Sequence, residues 1–168
     1  SQLLDPGDFR QTVEKLSLYM LDQDRAATVA DIAVCAPSST EASLDDILNI
    51  VAEAKTGEIG PLMTKLKAQG TQPVGLCIGA TRHFRTLYAA ASDPAGAASG
   101  MGRVRPPVFG PRRDRMIRQA GAWGAARLEV ALTMLTDTDL QLRSAGQHAP
   151  AMELVERTLI RLAMLARR

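Results

Sequence analysis

The chain has 168 residues, of which 46% are hydrophobic and 23% charged, and its formal net charge is +2. This is the composition of an ordinary soluble domain, and so small a net charge does not by itself indicate a nucleic-acid or membrane partner. Aromatic residues make up only 4%, so the core must be aliphatic, which favours helices over sheets. We expect neither a membrane span nor a signal peptide, because no run approaches the ~18 apolar residues that a membrane helix needs.

Apolar residues at helical spacing, bounded by capping signals, predict a series of helices along the chain. Asp5 and Pro6 mark the start of the first one, and Thr28 with Asp31 resembles a capping box at the start of the second. Ser43 repeats that signal at the start of a third helix, and Gly57 is expected to break this third helix. The predicted helices cover about 5–20, 28–36, 43–55, 59–69, 73–92, 111–123, 125–145 and 150–168.

The stretch 70–91 is predicted to form the central helix of a bundle, because it is apolar most of the way round. Gly70 suits a left-handed end to the preceding helix, and Pro73 suits the first turn of the new one. Gly75 and Gly79, four residues apart, predict a shallow groove in which a neighbouring helix approaches closely.

The stretch 95–102 is almost entirely Ala, Gly and Ser, and we predict a mobile surface loop there. Pro111 is expected to begin the following helix, a break is expected near Gly124, and Gly146 is expected to stop the long helix after it. No stretch alternates with a period of two between turn signals, so no strand is predicted. The fold class is therefore all-α.

No catalytic, nucleotide or metal motif is found in the sequence. The Gly-rich phosphate loop is absent, and the two histidines, His83 and His148, have no ligands at metal-binding spacing. Cys77 lacks an adjacent base, and it and Cys35 are interpreted as buried free thiols. We therefore expect a protein that is not an enzyme and that carries no cofactor or metal.

Six arginines within sixteen positions form the strongest functional candidate that the residues themselves offer. Clustered arginines can contact nucleic-acid phosphates or an acidic partner, although a solvated face with a few structural ion pairs is the commoner outcome. The cluster consists of Arg103, Arg105, Arg112, Arg113, Arg115 and Arg118.

Asp139 falls on the apolar stripe of the long helix, where a carboxylate needs a partner. Arg82 and Arg85 lie in the central helix, and we predict an interhelical ion pair between one of them and Asp139.

Several separated segments, taken in order, resemble the delta subunit of bacterial DNA polymerase III clamp loaders. Residues 13–19 and 28–32 resemble the end of that family's helical lid domain, and residues 43–47 resemble the linker that follows it. The segments that resemble its C-terminal collar domain are 69–74, 82–87, 105–109, Trp123 and 139–146.

The resemblance implies a remnant of an AAA+-type lid domain over residues 1–42 and a collar, an oligomerisation bundle of helices, over residues 43–168. It implies a cytoplasmic, non-catalytic scaffold of DNA replication whose collar holds the loader ring together through the other loader subunits. The family grips the sliding clamp with an N-terminal domain, which we expect to be absent from this chain.

A direct role in DNA binding is expected to be weak or indirect. Some family members carry an aromatic residue near the template strand where this chain has Ala145, so a stacking contact with single-stranded DNA is not expected here. The alternative function is a free-standing helical nucleic-acid-binding module that uses the cluster from Arg103 to Arg118.

Overall fold

A computed structural model describes residues 13, 14, 16–18, 20, 21, 25–28, 40–144 and 149–167. Its contacts divide the chain into two compact units, Ser1–Ser39 and Thr40–Arg168. In the first unit, residues 13, 14, 16–18 and 20 are helical. Several predictions concern residues outside the described ranges: the helix start at Asp5, the thiol of Cys35, Ala145, the helix stop at Gly146, and His148. Of the helix predicted over 28–36, only Thr28 is described.

All the regular secondary structure in the described part of the second unit is helical, which confirms the all-α prediction. None of these helices is long and apolar enough to cross a membrane. The helices are α1 (Thr40–Ala52), α2 (Thr56–Ala68), α3 (Pro73–Ala91), α4 (Ala97–Arg103), α5 (Gly110–Arg143) and α6 (Ala151–Ala166).

Local backbone signals set several of the helix boundaries as predicted. Gly70 has a φ of 74° just after α2, and Pro73 is the first residue of α3. Pro111 lies in the first turn of α5. Gly124 interrupts α5 with a φ of 70° and a ψ of 158°, a conformation open essentially only to glycine.

The start of α2 was predicted wrongly. The chain turns at Ala54, which has a φ of 59°, so α2 already begins at Thr56 and includes Gly57. With this earlier start, Pro61 lies inside α2, whereas a helix that began at residue 59 would have it in the first turn.

Helix α3 packs mainly against α5, and its buried face carries Leu76, Phe84 and Leu87. Phe84 meets Trp123 of α5 edge to face, with 5.1 Å between ring centroids, and the Trp123 Nε1–H donates to the Ala52 carbonyl of α1 at 2.9 Å. These contacts join three helices at one point of the core. The opposite side of α3 is more exposed than its composition predicted, since Ile78 is 45% exposed.

The predicted close approach at Gly75 and Gly79 is wrong, because a β-carbon built at either would meet no atom within 4 Å. The close approach occurs at Gly100 of α4, where a β-carbon would lie 2.7 Å from the Ala90 Cα. Gly100 and Met101 are buried. The predicted mobile loop over 95–102 is therefore replaced by a short helix packed against the C-terminal end of α3.

Candidate arginine-lined groove

The structure separates the six clustered arginines of the sequence. Arg103, Arg105 and Arg112 line a groove. Arg113 Nη2 lies 3.4 Å from the Ala98 carbonyl of α4, and Arg115 pairs with Glu53 of α1. Arg118 is exposed outside the groove. Proximity in sequence therefore does not correspond to one continuous basic face.

The groove has a volume of about 1190 Å³ and is formed by α1, α3, the connection between α4 and α5, and α5. It brings in three further arginines, two from α3 and one from the end of α5, against two carboxylates, Asp45 and Asp139. Six guanidinium groups around one depression make a local positive charge that the small net charge of the chain conceals. These arginines are Arg82, Arg85, Arg103, Arg105, Arg112 and Arg143.

Four of these six arginines are already occupied within the chain. Arg103 pairs with Asp93 at 2.8 Å, and Arg112 pairs with Asp45 at 3.0 Å. Arg105 donates to the carbonyl of Val104 at 2.9 Å, and Arg143 pairs with Asp139 at 2.9 Å. Ion pairs between exposed side chains contribute little to stability, but each of these contacts takes up donors of a guanidinium group that lines the groove.

Asp139 is paired differently from the prediction. Its Oδ2 accepts from Arg143, one turn further along α5, whereas Arg82 and Arg85 make no ion pair with it. Residues four apart on one helix are neighbours, so Arg143 can pair with Asp139 whatever the position of α3. The other carboxylate oxygen, Oδ1, is buried without a hydrogen-bond partner among the described atoms. Arg82, Arg85 and Asp139 nevertheless line the same groove.

A buried polar network adjoins the groove and ties α1, α3 and α5 together. His83 Nε2 lies 3.1 Å from Gln119 Oε1, and the Gln119 amide donates to Asn49 at 2.9 Å and to Glu53 at 3.2 Å. Because the Gln119 amide nitrogen is committed to these two acceptors, its oxygen is the acceptor for a proton on His83 Nε2. Burial lowers the pKa of His83 to about 4, so the ring is neutral at pH 7.

Glu53 is the charged end of this network. Arg115 donates to both of its carboxylate oxygens, and the Lys55 ammonium lies 3.0 Å from Oε2. Hydrogen bonding from Arg115 is the main cause that lowers the pKa of Glu53 to about 2, opposed by burial and assisted by Lys55 and Gln119. Sequence analysis identified Arg115 only as a member of a cluster and did not indicate Glu53, its partner 62 residues earlier.

The thiol of Cys77 is buried, as predicted, with its Sγ 3.7 Å from the Leu135 carbonyl, and burial raises its pKa to about 11. It is therefore protonated and unreactive at neutral pH. No group of three His, Cys, Asp or Glu side chains within the described ranges is arranged to hold a metal ion. The groove accordingly offers charge and shape for binding, carried by arginines and by an exposed apolar edge.

Comparison with known proteins adds no family to this description. Neither family profiles, nor curated proteins, nor solved structures give a match to this chain.

Proposed function

We propose that this chain is the C-terminal part of a clamp-loader delta subunit, with the end of a lid domain followed by a collar bundle that assembles with the other loader subunits. The observation that carries the proposal is the position of the segments that resemble the family. Residues 69–74 form the turn between α2 and α3 and the first two residues of α3, residues 82–87 lie in the middle of α3, where His83, Phe84 and Leu87 are buried, and residues 105–109 form the connection into α5. In each of these segments the local sequence signals agree with the element in which it lies, as expected for residues that specify a fold.

Two further observations support the proposal. The division of the chain at residue 39 lies close to the expected end of the lid at residue 42. Large apolar side chains are exposed on the second half of α5 and on α6, among them Val130 at 49% and Met164 at 55%. Exposed apolar side chains on a helical bundle suit contacts with neighbouring subunits.

The test is assembly without DNA. The full chain is mixed with the other clamp-loader subunits of the same organism, and the mixture is followed by size-exclusion chromatography with light scattering. We expect a stable complex, and we expect Val130→Glu or Met164→Glu to weaken it because a carboxylate would be buried at an apolar contact. Separate elution of the folded chain at every concentration would contradict the proposal.

The nucleic-acid module has weaker support, because Arg115 and Arg113 of its cluster are engaged within the chain and Arg118 lies outside the groove. Its test is a salt titration with a labelled oligonucleotide. Sub-micromolar binding that falls steeply with salt would favour the module over the scaffold.

A further inference from the structure

Two arginines of the groove are left without partners within the described chain. The guanidinium groups of Arg82 and Arg85 make no ion pair or hydrogen bond there, although both side chains are exposed on α3 and line the groove. Residues three apart on a helix lie on the same side, one turn apart. The groove therefore presents two adjacent planar forks, each matched to a carboxylate.

The groove also carries exposed apolar side chains. Ile78 lies one turn before Arg82 on α3 and is 45% exposed, and Phe109 at the start of α5 is 76% exposed. The groove is also lined by aliphatic side chains, including Leu44, Leu48 and Val108. Arginine and aromatic side chains are both enriched at the energetic centres of protein–protein interfaces.

This combination favours a protein segment over a nucleic acid. Single-stranded nucleic acids bind along grooves that offer cations at each step of the backbone and aromatic rings for successive bases. Here four of the six arginines are occupied, and among the described residues Phe109 is the one Phe, Tyr or Trp that lines the groove. The unpaired guanidinium groups of Arg82 and Arg85, next to apolar side chains, are complementary to a protein segment that carries two carboxylates next to an apolar side chain.

We infer that the groove is a docking site for an acidic segment of a partner protein, in which two Asp or Glu side chains engage Arg82 and Arg85 and neighbouring Leu, Ile or Phe side chains pack against Ile78 or Phe109. The charge complementarity fixes the class of partner. The inference does not depend on assignment of the chain to a clamp loader, since the groove lies within residues 44–143 and requires no other subunit.

The test is a screen of the full chain on an array of short peptides of random sequence. We expect the retained peptides to combine at least two carboxylates with a nearby Leu, Ile or Phe. Resynthesised with a fluorescent label, these peptides should bind Arg82→Glu or Arg85→Glu about tenfold more weakly than the wild type, because the change replaces attraction by repulsion. Phe109→Ala should weaken the same peptides without changing their charge selectivity.

Arg118→Glu is the matched control, since it makes the same charge change on an exposed arginine outside the groove. It should leave peptide binding unchanged. Replacement of both Arg82 and Arg85 by Lys separates fork geometry from charge, and partial loss is expected because Lys is a point donor. All variants are first checked for an unchanged thermal unfolding midpoint, which is expected because both arginines are exposed and unpaired.

Three outcomes would overturn the inference. Retention of no peptide whose binding depends on Arg82 or Arg85 would show that the groove does not dock protein segments. Equal binding of oligo-glutamate would show a patch that responds to charge alone. Tighter binding of oligo-thymidylate with the same dependence on both arginines would assign the groove to nucleic acid. None of these outcomes bears on assembly with loader subunits, which is measured separately through Val130 and Met164.

Discussion

At the scale of single residues, the buried polar network explains why charged side chains are tolerated between α1, α3 and α5. Gln119 satisfies His83 on one side and Asn49 and Glu53 on the other. Buried polar groups are costly unless each finds a partner. Glu53 can stay ionised next to the core because the cationic side chains of Arg115 and Lys55 both pair with its carboxylate.

Glu53→Gln tests this balance. We expect the free energy of unfolding to fall by about 1–2 kcal/mol at pH 7, after allowance for the partial exposure of the pair. Glu58→Gln is the matched control, because Glu58 is exposed on α2, and it should change stability by less than about 0.5 kcal/mol. The measurement is urea unfolding followed by circular dichroism.

The same variant has a defined pH dependence. The pKa of Glu53 falls from 4.5 to about 2 on folding, so its contribution is fully present above pH 4.5 and is lost as the pH falls towards 2. The difference in stability between wild type and Glu53→Gln should therefore shrink across this window. His83, whose pKa is lowered from 6.5 to about 4, weakens both proteins from pH 6.5 downward. A difference that stays constant from pH 7 to pH 2.5 would contradict the assignment.

At the scale of elements, local signals predicted several of the helix ends, whereas the contacts between helices were predicted poorly. Gly70, Pro73 and Gly124 act through their own backbone conformation, so their effect can be read from the chain alone. Close approach is different, because Gly75 and Gly79 have suitable spacing but no neighbour, whereas Gly100 meets the backbone of Ala90. Spacing shows where a contact is possible, and only the tertiary arrangement supplies the partner.

The groove shows the same contrast between what the local sequence predicts and what the tertiary arrangement determines. Its arginines come from three parts of the chain, at 82–85, 103–112 and 143. The sequence indicated most of these residues, but grouped Arg103 with Arg115 and Arg118 because they are neighbours in the chain. Chain reversals between α3, α4 and α5 decide which of them share a surface, and composition does not encode those reversals.

Two glycines of α4 give a matched test of the close approach. Gly100→Ala should destabilise the protein by about 1–3 kcal/mol, because the added methyl group collides with backbone that cannot move aside. Gly102→Ala adds the same methyl group where no atom lies within 4 Å, and it should stabilise α4 by up to about 1 kcal/mol. Thermal unfolding of the two variants provides the comparison. Equal effects of both changes would show that α4 does not pack against the end of α3.

At the scale of the whole molecule, the buried apolar side chains of the described residues form one cluster within the second unit. Its buried apolar residues extend from Ile47 of α1 to Ala163 of α6, with Trp123 and Phe84 as the largest members. Lys67 adds a surface link between α2 and α6, with its Nζ 3.1 Å from Glu153 and 3.0 Å from Glu156. A unit with its own core and its own surface contacts has what independent folding requires.

We therefore expect a fragment of residues 40–168 to fold without residues 1–39. The apolar cluster that provides the main driving force among the described residues lies within this fragment, and its helices α1, α3 and α5 are joined by the His83–Gln119–Glu53 network. Circular dichroism should show a helical spectrum and a cooperative thermal transition within about 5 °C of that of the full chain, a shift of roughly 1 kcal/mol for this size. Loss of the cooperative transition would show that the first unit supplies part of the stability. The same fragment should bind the peptides as tightly as the full chain does, because the described residues that line the groove all lie between Leu44 and Arg143.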